Sequence, residues 1–189
     1  MCMLTDSLPA AGPAPEASAF TMEDKAVSAE EEEVFSPEEL MRRAIALSVE
    51  SVAQGGGPFG AVIAREGKII ATGANRVTLD CDPTAHAEIQ AIRGAARRLG
   101  TFDLGGCEIY TSCEPCPMCL GAIYWAHLDR IYYGNSKKDA AAIGFDDAYI
   151  YEELGRNPAS RRLKSEVLLP DEAIEAFRAW EKKEDKAEY

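Results

Sequence analysis

Cys113-Glu114-Pro115-Cys116-Pro117-Met118-Cys119 joins a strand to a helix. The run before it, Cys107 to Thr111, has the composition of a buried strand, and Leu120 to Ala126 that of a helix body. A strand passing straight into a helix is the repeating unit of α/β folds. Pro115 and Pro117 lack an N–H and stiffen the turn. Two cysteines separated by two residues can hold one metal ion from the first turn of a helix. The free N–H groups and dipole of that helix end favour thiolate over thiol, the form a metal requires.

Upstream, Asp82-Pro83-Thr84 predicts the start of a helix with Ile89, Ile92, Ala96 and Leu99 on its buried side and Gly100 at its end. His86 and Glu88 then fall in its first turn. His86, Cys116 and Cys119 make three ligands and leave the fourth position of a tetrahedral Zn2+ open, the layout of a catalytic site. Glu88 is placed to move protons. An H-x-E followed by P-C-x-x-C is the signature of zinc-dependent nucleobase deaminases, in which a metal-activated hydroxide attacks an amino-bearing ring carbon. Cys116-x-x-Cys119 alone could also be a redox pair or half of a structural zinc knot. An iron–sulfur run would need a fourth cysteine where Ile123 stands. Cys113 is expected as a packed thiol beside the site, with Cys81 and Cys107 structural.

Ser36-Pro37-Glu38-Glu39 forms a capping box, followed by a helical stripe of Leu40, Met41, Ala44, Ile45, Leu47, Ser48 and Val52 that Gly55-Gly56-Gly57-Pro58 stops. Phe59 to Ala64 and Lys68 to Thr72 read as a hairpin, Arg130 to Tyr133 as a fourth strand and Lys164 to Leu169 as a fifth. Gly144-Phe145-Asp146-Asp147 precedes a short helix through Leu154, and a last helix runs from about Ala173 to Lys183. This order predicts an α/β protein, a three-layer α/β/α sandwich on a mixed five-stranded sheet. Residues 1–35, Pro/Ala-rich and acidic, are expected to be a disordered arm, and residues 36–189 a single zinc-dependent domain.

The 189 residues are 47% hydrophobic and 28% charged, an ordinary globular balance. The net charge of −12 is unevenly spread: residues 1–40 carry ten acidic residues and one basic, whereas residues 41–189 carry 22 and 19. The near-neutral body has no Lys/Arg stripe of the kind that neutralises nucleic-acid phosphates. No stretch is long enough to cross a membrane, none resembles a signal peptide, and the six cysteines suit a reducing cytoplasm.

Gly56 to Ile63, Asp82 to Glu88, Thr111 to Cys119 and Gly144 to Asp147 together resemble the bacterial guanine deaminases of the cytidine-deaminase-like superfamily, over essentially residues 37–189. The resemblance implies zinc-dependent hydrolysis of guanine to xanthine and ammonia in purine catabolism or salvage. By the same resemblance Glu88 shuttles protons, Asn75 grips the base, Asp147 contacts the exocyclic amine, and Phe59 and Trp125 wall the purine. It further implies a homodimer in which Tyr189 reaches the partner's substrate through a swapped tail. A guanosine deaminase is the nearest enzymatic alternative, sharing the Gly-Phe-Asp-Asp segment. A tRNA adenosine deaminase would need a basic face. A zinc-stabilised interaction module would have no use for Glu88.

Overall fold

The computed structural model describes residues 33–188, so the expected disorder of the arm falls almost wholly outside the described residues. Ser36 caps α1 (Pro37–Ala53): its hydroxyl accepts from Glu39 N while the Glu39 carboxylate accepts from Ser36 N at 2.8 Å. β1 (Gly60–Arg65) and β2 (Lys68–Ala74) form the antiparallel hairpin, and β1 also pairs antiparallel with β3 (Glu108–Cys113). β3 and β4 (Arg130–Asn135) are parallel and joined by α4 (Pro117–Trp125). The order is β2-β1-β3-β4.

Alternation along β1 builds the three layers. Val62 and Ala64 face Leu40 and Ala44 of α1 together with Tyr110. Ala61 and Ile63 face the other way, onto Ala87, Ala91 and Ala95 of α3 (Ala87–Leu99) and Ile123 of α4. The small residues on α3 let it lie close to β2. A Cβ on Gly73 would stand 2.1 Å from Ala87 O and 2.6 Å from Ala91 N. Gly73→Ala is therefore expected to push α3 off the sheet and cost about 1–3 kcal/mol, a fall of roughly 5 °C in melting temperature. An unchanged transition by calorimetry would show that the helix can move freely.

Three differences from expectation have physical causes. Lys164 to Leu169 forms no strand, and among the described residues the sheet has four strands. Its β-forming composition is realised only against a neighbouring edge, yet every residue from 162 to 188 is exposed, with Val167 and Leu168 at 84% and 82%. The second long helix begins at Ala87 rather than near Pro83, because Asp82 Oδ1 accepts from Thr84 N and Thr84 Oγ1 and folds that segment into a turn. Two short helices escaped the periodicity argument, α2 (Val77–Asp80) and α5 (Lys137–Ala142), being too short to show a stripe. The chain continues through α6 (Ala148–Gly155) and α7 (Pro170–Glu181). No described helix is long and apolar enough to cross a membrane.

Candidate active site

The site lies where the parallel pair ends. The chain leaves β3 at Cys113 and is held to the end of β4 by Glu114 N donating to Asn135 O at 2.8 Å. It then enters α4 with Cys116 at the N-cap and Cys119 in the first turn. His86 is the N-cap of α3, and Glu88 follows in that helix's first turn. Two helix N-termini thus converge, each directing positive dipole ends at one point.

His86 Nδ1 stands 3.5 Å from both Cys116 Sγ and Cys119 Sγ, and the three ligand atoms lie within 4.8 Å of one another. A tetrahedral zinc with nitrogen at about 2.0 Å and sulfur at about 2.3 Å would separate those atoms by about 3.6 Å. The donor set and its spacing fit zinc. The Cys119 thiol donates to Cys116 and, despite burial, pulls it down to about 4, with His86 adding to the effect. The same bond, followed by burial, pushes Cys119 up. Hydrogen bonding to Cys116 raises His86.

Beside this triangle is a cavity of about 860 Å³ lined by Phe59, Asn75, His86, Glu88, Cys113, Cys116, Phe145 and Asp147, among others. Glu88 is 7% exposed, and burial holds its carboxyl above the ordinary carboxylate range. Asn75 is also buried. Its Oδ1 accepts from Gly57 N and Val77 N, both at 3.3 Å, which leaves Nδ2 to donate towards a ligand. The glycine beside it permits this close approach: a Cβ on Gly57 would lie 3.0 Å from Asn75 Oδ1. Asp147 is the N-cap of α6 but makes no capping bond with its side chain, and Asp146 Oδ1 accepts from Ala148 N instead. Burial, followed by the Cys116 charge, raises the Asp147 carboxyl.

Phe59 walls the cavity and meets Phe145 edge-to-face, with ring centroids 5.0 Å apart. Phe145 went unassigned from sequence although it lies inside the Gly144 to Asp147 segment. Trp125 does not line the cavity; it is 66% exposed at the far end of α4. Six residues beyond Cys119, it sits about 9 Å further along the axis and on another face. Cys113 is buried beside the site, and burial pushes its thiol up to about 11. Cys107 is core, whereas Cys81 is exposed. Tyr189 lies outside the described residues.

The model of the cytidine and deoxycytidylate deaminase zinc-binding region matches residues 36–135. The chain belongs to this deaminase family. Its similarity to the guanine deaminase of Bacillus subtilis is 48% identity over 153 residues, 80% of this chain and 98% of that protein. The crystal structure of a Bacillus subtilis guanine deaminase superposes with a TM-score of 0.79 at 47% identity, covering 82% of this chain and 99% of that one. This deaminase is also 36% identical to the tRNA-specific adenosine deaminase of Aquifex aeolicus over 126 residues, 67% of this chain and 81% of the relative.

Proposed function

We propose that this zinc-dependent deaminase hydrolyses guanine to xanthine and ammonia. The observation that carries the reading is Glu88, buried beside the His86, Cys116 and Cys119 triangle and facing a cavity with a flat aromatic wall. The likeness to the Bacillus subtilis guanine deaminase along nearly its whole length supports the choice of base.

His86, Cys116 and Cys119 hold the zinc, which when bound supplies a Lewis acid that brings water towards a pKa of about 7. Glu88 takes the proton of the attacking water and passes it to a ring nitrogen. Burial raises its carboxyl above the ordinary value, which makes it a better proton acceptor than an exposed glutamate. Asp147 faces the exocyclic amine, which receives the second proton of the attacking water through Glu88 as the C–N bond breaks and ammonia leaves. Phe59 packs on the ring, and Asn75 Nδ2 donates to an acceptor on the base edge.

A second copy of the chain completes the reading. Leu163, Val167, Leu168 and Phe177 are 72–84% exposed, an apolar strip that calls for cover. The outer side of β4 is a sheet edge with no partner strand among the described residues. A homodimer that lays each tail on the other subunit satisfies both and brings Tyr189 towards the partner's cavity. The free thiols of Cys81, Cys107 and Cys113 suit a reducing cytoplasm.

The test is zinc-loaded protein incubated with guanine, guanosine, adenine, cytosine and cytidine and followed by ultraviolet absorbance. Loss of guanine alone is the expected result. Turnover of guanosine instead would show that the cavity is built for a nucleoside, and inertness to all five would bring back an RNA substrate. Light scattering on the same sample is expected to give the mass of a dimer.

A further inference from the structure

Pro115 immediately precedes the Cys116 ligand, and its carbonyl is not used by any helix or strand. It accepts from the hydroxyl of Tyr151 at 3.2 Å. Tyr151 lies on α6, four residues after Asp147, so the two are one helical turn apart. The same helix therefore carries the carboxylate at one turn and grips the metal-binding loop at the next.

Tyr151 is itself held. Lys137 Nζ lies over its ring, 4.9 Å from the centroid. Lys137 is fixed in turn by Glu114, whose Oε2 accepts from Lys137 N at 3.1 Å and whose Oε1 lies 3.6 Å from Lys137 Nζ. Glu114 and Pro115 are consecutive, so the contacts close a ring: Glu114 to Lys137, Lys137 to Tyr151, Tyr151 to Pro115. It ties the entry to α4, the start of α5 and the middle of α6 into one unit. Sequence separations of 23 and 36 residues hide it from any local pattern.

We propose that Tyr151 is a positioning residue for the deamination: its hydroxyl sets the Pro115 peptide and thereby the Cys116 sulfur, while its place on α6 holds Asp147 over the same cavity. Lys137 and Glu114 keep the phenol in its seat. The proposal rests on the assignment of Cys116 to zinc and of Asp147 to the substrate. Groups outside the ligand shell that orient ligands commonly alter metal affinity or activity 10–100-fold when removed.

Tyr151→Phe removes the hydroxyl and keeps the ring under Lys137. Zinc release from the intact protein to a chromogenic chelator, measured without substrate, is expected to be about tenfold faster. With guanine, kcat is expected to fall about tenfold while KM moves less than twofold, since ring packing on the base is untouched. Lys137→Met is expected to speed zinc release in the same direction, and Lys137→Arg to restore it. Should Tyr151→Phe fold poorly by circular dichroism, the Lys137 pair carries the test. Zinc release unchanged in Tyr151→Phe, or unchanged in Lys137→Met, overturns the proposal while leaving the deaminase reading intact. A parent protein that binds no zinc overturns both.

Discussion

Glu88→Gln is expected to lower kcat on guanine by about 10³-fold, within the range for loss of a positioned proton carrier, and to leave zinc bound at the parental level. The amide keeps the shape and removes the base. The carboxylate it replaces is not among the three ligand atoms, so metal content measured by atomic emission separates a proton-transfer role from a structural one. Loss of zinc together with turnover would make Glu88 a scaffold residue and sink the mechanism. The substitution also carries a stability signature in metal-free protein. Burial raises the Glu88 carboxyl above its ordinary 4.5. The folded state therefore holds a proton that the unfolded state has already released, and stability falls as pH rises from 4.5 to the folded value. Glutamine does not titrate. Glu88→Gln should match the parent at pH below 4.5 and melt at a higher temperature near neutrality.

Cys119→Ser is expected to abolish stable zinc binding and, with it, turnover by at least about 10³-fold. Cys119 is fully buried and supplies one of only three ligand atoms in the triangle, so its loss leaves two. A serine hydroxyl is a poor zinc ligand at neutral pH because it does not ionise as a thiol does. Zinc binds the folded chain preferentially, and at a thousandfold excess over the dissociation constant it stabilises by about 4 kcal/mol. At this chain length that corresponds to a melting temperature roughly 10 °C lower in the variant. The control is the parent treated with chelator: the two proteins should then melt close together. A variant that keeps both metal and melting temperature would show that His86 and Cys116 suffice, contrary to the fit of the three-atom triangle.

The parts of the site legible in the chain were those made by spacing within one helix turn. Cys116 and Cys119 share the first turn of α4, and His86 and Glu88 sit at the N-cap and first turn of α3. The three-residue spacing of Cys116 and Cys119 brings both sulfurs to one face whatever the rest of the fold does. Asn75 and Phe59 reached the cavity for a related reason: each adjoins one end of the β1 and β2 hairpin, at a distance set by a short turn. The same rise per residue carries Trp125, at the other end of α4, away from the cysteines. Lys137 and Tyr151 had no local signature at all. Their significance comes from neighbours that are remote in sequence.

From the sequence alone came the chemistry, a zinc triangle with a carboxylate beside it, and the α/β/α layering that follows from the order of its periodic segments. Tertiary structure alone decided which orientation Asn75 presents, that the Asp147 carboxylate makes no capping bond, and that α6 is fastened to the metal loop through Tyr151. It also decided that Lys164 to Leu169 is no strand within this chain. The physical reason is range. Capping, periodicity and ligand spacing are satisfied by a residue's own neighbours, whereas a strand edge or a hydroxyl needs a partner that only folding, or a second subunit, brings within reach.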